Sequence, residues 1–136
     1  MPSEPPPIHL VLDVANVLGS RPDGWWRDRA GAAGALLARF APFTGTDTDG
    51  PDGATVRLAA ITAVLEGRAK TADVPADIRV VLAPHDGDTA IVEVATAGLA
   101  AGERMLVATA DRGLRERLPT GIRVVGPDWA NRLIGR

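Results

Sequence analysis

Four short apolar runs constrain this chain more than any other feature: Ile8-His9-Leu10-Val11-Leu12, Ile78–Ala83, Met105–Thr109 and Ile122–Val125. Each spans four to six residues and is followed within two residues by a charged residue or a turn former. Runs this short, largely without polar alternation, read as strands buried on both faces. Such strands belong to a parallel sheet covered by helices on either side. The stretches between them are long enough to hold the helical crossovers that parallel neighbours need. The expected fold class is therefore α/β, a three-layer α/β/α sandwich around a central parallel sheet.

The intervening segments supply the helices. A helix is expected over Trp25–Phe40, capped by Asp23, with Trp26, Ala30, Ala33, Leu37 and Phe40 facing inward. Ala54–Glu66 reads as a second helix, with Asp52 near its cap and Gly67 past its end. Thr89–Ala97 is rich in β-branched residues, yet Ile91, Val94 and Ala95 share a helical face and a crossover is needed there, so a helix is expected. Arg112–Leu118 and Asp128–Ile134 read as short helices, the last burying Trp129 and Leu133. Thr44–Gly53, with three Asp and three Gly in ten residues, reads as a surface loop. With 136 residues the chain makes one domain, expected over 8–136 behind a disordered, Pro-rich lead over 1–7.

Composition removes several chemistries. The absence of cysteine excludes disulfides, thiol catalysis and Cys-ligated metal sites. Two histidines and no tyrosine leave acid–base and metal chemistry mainly to carboxylates. No Walker A loop, G-x-G-x-x-G or G-x-S-x-G sequence occurs. No apolar run approaches the ~18 residues of a membrane span, and the first residues lack the basic start of a signal peptide, so a cytoplasmic protein without a membrane partner is expected.

The carboxylates are placed suggestively. In open parallel sheets, sites form beyond the carboxyl ends of the strands. The first run ends at Asp13, the second is followed by Asp86 and Asp88, and the third by Asp111. Crossovers of one hand bring these ends to one edge of the sheet. Carboxylates gathered there raise one another's pKa and suit Mg²⁺ or Mn²⁺, which activate water against a phosphodiester. The competing explanation is capping, since Asp is a preferred N-cap and Asp86 or Asp88 and Asp111 each precede an expected helix. Asn16 adds an oxygen-bearing side chain one turn beyond Asp13, a position a turn also favours.

At this point the sequence resembles a family. LVLDVANVLGS at Leu10–Ser20 is similar to the opening strand and D-x-x-N-V motif of the PIN-like NYN-domain (YacP-like) ribonucleases. APHDGDTAIVEVA at Ala83–Ala95 resembles the segment where that family sets an acidic metal ligand at a helix start, and VATADRGLRERL at Val107–Leu118 resembles its (S/T)-x-D-R motif. The three occur in the family's order. The resemblance implies a PIN-like Rossmannoid fold and a ribonuclease using Mg²⁺ or Mn²⁺. It implies Asp13, Asp88 and Asp111 as catalytic metal-binding carboxylates, Asp86 as an alternative ligand, and Asn16 and Thr109 as supporting or substrate-contacting groups. One departure stands out: many PIN domains carry a further acid on a helix between the first two strands. Here Glu66 is the only acid on the expected second helix, at its far end, and Asp28 does not clearly match.

Other residues have two readings each. Arg112 and Arg115, with Arg117, follow Asp111 and can clamp substrate phosphate or simply lie in solvent. Arg21, Arg27 and Arg29 offer the same choice. Trp26 is expected in the core by its place on the apolar stripe, whereas Trp25 is left open between core and base stacking. His9 is expected to be structural and His85 an ordinary loop residue. The net charge of −2 averages a separation: residues 104–136 hold seven arginines against three acids, and residues 41–103 four cations against ten acids. The expected function is metal-dependent hydrolysis of RNA. A hydrolase of nucleotides or small phosphate esters, and a non-catalytic module that binds RNA or protein, stay open as alternatives, as does a homodimer or protein partner.

Overall fold

A computed structural model describes residues 4–136, so the expected lead over Met1–Ser3 lies outside the described residues. Strand β1 (Pro7–Asp13) is almost wholly buried. It lies between β3 (Thr55–Leu65) and β5 (Met105–Ala108), parallel to both, and β6 (Arg123–Val125) continues the sheet beyond β5. The outer edge of β3 is shared. β2 (Asp47–Asp49) pairs antiparallel with Thr55–Arg57, and β4 (Arg79–Leu82) pairs in parallel with Thr62–Leu65. The five parallel strands thus run β4-β3-β1-β5-β6, and the chain changes direction across the sheet between β1 and β5.

Helices cover both faces, as strands buried on both sides require. Ile8, Leu10 and Leu12 of β1 point into one core with Phe40, Leu37 and Ile134. That layer holds α1 (Val14–Gly19), α2 (Arg29–Phe40) and α5 (Pro127–Leu133). Val11, between them in sequence, points into the opposite core with Ile91 and Leu114, beneath α3 (Gly87–Ala100) and α4 (Arg112–Arg117). The expected three-layer sandwich is present, its sheet mostly parallel.

Four readings are corrected. Ala54–Glu66 is not a helix: Thr55–Leu65 is the longest strand of the sheet. β1 and β3 pair Ile8 with Leu58 but His9 with Ala60, leaving Ala59 as an extra, unpaired residue. That bulge shifts the alternation, so Leu58, Ile61 and Leu65 face one core at spacings of three and four, which imitate a helix. The helix expected from Trp25 begins only at Arg29, because Asp28 is extended and its Oδ1 accepts the Gly31 N–H as the true N-cap. Trp25–Arg27 form a single 3₁₀ turn, so Trp26 leaves the inward stripe and is 49% exposed. The loop expected over Thr44–Gly53 contains β2. Order also begins before Ile8, since the Pro6 carbonyl accepts the Arg57 N–H and Pro7 opens β1.

Candidate active site

The carboxyl ends of β1, β3 and β5 and the start of α3 converge at the point where the sheet order reverses, the usual place for a ligand in such sheets. Asp13 is the last residue of β1 and also the N-cap of α1, its Oδ1 accepting the Asn16 N–H at 3.2 Å. The other oxygen accepts the Thr109 hydroxyl at 2.8 Å from beyond β5. That hydroxyl in turn accepts the Asp111 N–H at 3.1 Å, and the Asn16 side-chain oxygen accepts the Ala110 N–H at 2.9 Å. Two strand ends are thereby tied across the reversal by one polar network. Thr109 is completely buried, so the expectation that it touches substrate is corrected: its hydroxyl has no open surface and positions Asp13 instead.

Asp111 caps α4 by accepting the Leu114 N–H at 3.0 Å through Oδ1. Asp86 caps α3, accepting the Thr89 N–H at 2.7 Å and the Thr89 hydroxyl at 3.2 Å, so both its oxygens serve the helix start. Asp88, in the first turn of α3, is half-buried and makes no side-chain hydrogen bond among the described residues. The capping explanation thus holds for Asp86 and Asp111, and Asp88 is left with both oxygens uncommitted.

Glu66 is the residue that sequence reasoning misplaced. As the residue after β3 it stands at the same sheet edge, and its Oε2 accepts the Gly87 N–H at 2.6 Å. A Cβ at position 87 would meet that oxygen at 2.8 Å, so only glycine lets the carboxylate approach the start of α3. The signal was available in the five β-branched residues of Thr55–Leu65, which favour a strand, followed directly by an acid.

The charges interact. Burial pushes the Asp13 carboxyl up to about 6, with the negative charges of Asp88 and Glu66 adding to the rise while Thr109 and the Asn16 amide oppose it. Asp88 is raised as well, first by desolvation, then by Asp111, Asp86 and Glu66, with Arg117 pulling the other way. Asp86, fully exposed, is held below the usual range by its bonds to Thr89. Asp88 therefore sits among carboxylates from four segments. Among the described residues no three His, Asp or Glu side chains form a ready-made metal cage. Mg²⁺ needs less than a cage: one or two carboxylates, its own waters and a substrate phosphate. Asp13 and Asp88 fit that modest requirement by donor chemistry and charge.

Arg112 and Arg115 are exposed on α4 beyond Asp111, and the Arg117 guanidinium donates to the Thr89 hydroxyl at 3.1 Å. His85 is exposed and lines a groove of about 380 Å³ with Glu66 and Trp25. His9 is buried far from this edge, its Nε2 2.6 Å from the Thr62 hydroxyl, as a structural residue would be.

The fold matches that of Rae1 (YacP) from Bacillus subtilis. One solved structure of that protein superposes with a TM-score of 0.69 at 15% identity, covering 93% of this chain and 73% of Rae1. A mutant form gives 0.64 at 17% identity, covering 94% and 75%. No family model matches the sequence, and no curated protein matches it significantly. The likeness shows the expected α/β/α architecture, consistent with a PIN-like fold. No helix among the described residues is long and apolar enough to cross a membrane.

Proposed function

We propose that this chain is a ribonuclease that hydrolyses a phosphodiester at the carboxylate edge of the sheet, with Mg²⁺ or Mn²⁺ held by Asp13 and Asp88 and flanked by Asp111 and Glu66. The observation that carries the reading is Asp88: a half-buried carboxylate without a protein donor, set among Asp13, Glu66, Asp86 and Asp111. Such an arrangement is costly for the apo protein and is relieved by a hard cation. The motif resemblance to NYN ribonucleases supports RNA as the polymer.

When bound, the ion supplies a lowered water pKa and neutralises charge on the phosphate. The protein's own share is orientation. Thr109 and the Asn16 amide fix the two Asp13 oxygens, so that this carboxylate cannot swing with the substrate. Glu66, seated on the Gly87 amide, sets a fixed negative charge beside Asp13 and Asp88 on the β3 side, which a bound cation offsets. Arg117, bonded to Thr89, places a cation above the Asp86–Asp88 turn, and Arg112 and Arg115 extend donors from the next helix toward phosphate oxygens.

The test is cleavage of an RNA with Mg²⁺ or Mn²⁺ by wild type, Asp13→Asn, Asp88→Asn and Asp111→Asn. Asp13→Asn and Asp88→Asn are expected to lose on the order of 100-fold or more. Equal cleavage by all four proteins refutes the assignment. A second reading, a non-catalytic module that binds RNA or protein, draws support from the lack of three convergent metal donors among the described residues. It predicts no metal-dependent turnover by the wild type.

A further inference from the structure

The indole of Trp26 belongs to neither core, and its surroundings are cationic. Trp25 meets it edge-on, with ring centroids 5.9 Å apart and planes at 88°. The Arg27 guanidinium lies 5.9 Å from the Trp26 ring centre, and that of Arg29 lies 5.5 Å from Trp25. Trp26, Arg27, Asp28, Arg29, Arg68 and Thr71 line an open groove of about 660 Å³, three cations against one acid. A second groove adjoins it at Arg29 and runs past Trp25 and Gly67 to Glu66 and His85, at the margin of the carboxylate site. Arg27, Arg29 and Arg68 are exposed and make no ion pair among the described residues. The nearest acid in sequence, Asp28, is engaged through Oδ1 in capping α2.

An open aromatic face among unpaired guanidinium groups provides the two contacts that a single strand offers: bases stack on the ring and phosphates meet the cations. A duplex presents phosphates, sugar hydroxyls and base edges but no open base faces, because its bases stack on one another. A protein-docking surface sets such anchors in a contiguous apolar centre, whereas here one exposed indole stands among Arg27, Asp28, Arg29 and Arg68. Resting on the ribonuclease reading above, we propose that Trp26 is a stacking platform for a single-stranded polynucleotide, whose backbone follows Arg27, Arg68 and Arg29 along the two grooves to the Glu66 side of the site. Trp25, half-buried beside it, helps hold the platform's orientation through their T-shaped contact.

The experiment measures binding of labelled oligouridylate and oligothymidylate of about a dozen residues, and of an RNA duplex of similar length, in EDTA so that no hydrolysis intervenes. Fluorescence anisotropy gives affinity, and quenching of tryptophan emission reports stacking. One or both single strands are expected to bind and to quench, the RNA and DNA arms naming the sugar preferred. Trp26→Ala is expected to weaken binding by about 10-fold or more, with Trp26→Phe retaining most of it. Arg68→Ala is expected to lower the slope of log affinity against log salt by about 0.7. Circular dichroism and urea midpoints equal to wild type establish that these exposed-site variants fold.

Binding of both strands by Trp26→Ala as tightly as by wild type overturns the proposal, and so does preference for the duplex. Concentration-dependent self-association that Trp26→Ala abolishes, without any oligonucleotide binding, also overturns it and assigns the indole to a second copy of the chain. Adding Mn²⁺ separates this inference from the one it rests on. Trp26-dependent binding without cleavage leaves the platform standing and removes the hydrolytic reading. Cleavage with binding indifferent to Trp26 does the reverse.

Discussion

Replacing Asp13 by asparagine should stabilise the protein, and the gain should depend on pH. The Asp13 carboxyl has its pKa raised to about 6 by burial, against 3.8 for the free side chain. Below about pH 3 it is protonated both folded and unfolded and contributes nothing to pH dependence. Between the two values the folded state holds a proton that the unfolded chain releases, so stability falls as pH rises. Above about pH 7 the full penalty is present, roughly two pH units or about 3 kcal/mol. Little solvent screening reduces it, because Asp13 is only 8% exposed. Asparagine cannot ionise, and its amide resembles the neutral acid in accepting from the Asn16 N–H and meeting Thr109. The stability difference between Asp13→Asn and wild type should therefore be small near pH 4 and about 3 kcal/mol more favourable to the variant near pH 8. Urea unfolding of both proteins in EDTA across that range measures it. A difference that does not change with pH, or that moves against the variant as pH rises, refutes the reasoning. The same substitution is expected to abolish the proposed cleavage, a trade of activity for stability typical of strained sites.

Other perturbations test neighbouring parts of the network. Thr109→Val removes a donor to Asp13 and the acceptor for the Asp111 N–H. It should cost about 1–3 kcal/mol in urea melts, with the larger loss at alkaline pH because Asp13 titrates higher still, while Thr109→Ser should restore most of it. Gly87→Ala forces the Glu66 carboxylate away from the α3 amide, so thermal melts should show a loss of about 1–2 kcal/mol. Millimolar Mg²⁺ or Mn²⁺ should raise the wild-type melting temperature and leave that of Asp88→Asn unmoved. Phe40→Ala, at a fully buried position, should cost about 3–5 kcal/mol without altering the pH dependence of stability.

The parts legible from sequence were those where local signals and global topology agree. β1 and β5 are short, mostly apolar runs with an acid at the end or three residues on, so their placement, and with it the placement of Asp13 and Asp111, could be read directly. Asp88 followed once α3 was recognised as a crossover, despite its β-branched residues. What escaped had one local cause and otherwise came from interactions between segments distant in the chain. Asp28 prevailed over Asp23 as a cap because a 3₁₀ turn intervenes, and this exposed Trp26. Glu66 was placed on a helix because a single unpaired residue in β3 disguised a strand. The burial of Thr109 was invisible too, since its hydroxyl is satisfied by an aspartate 96 positions earlier in the chain.

That unpaired residue, Ala59, has a consequence for how the chain tolerates insertions and deletions. Upstream of it, Leu58 is registered on Ile8, and downstream, Ala60 is registered on His9. Losing Ala59 alone would join the two halves in ordinary alternation, with every other side chain still on its own face. Losing any residue of Thr62–Leu65 would instead turn the downstream part of the strand over and carry Glu66 away from the Gly87 amide. One strand thus contains a length-tolerant point and, a few residues on, a stretch whose residue count is fixed by the carboxylate it delivers.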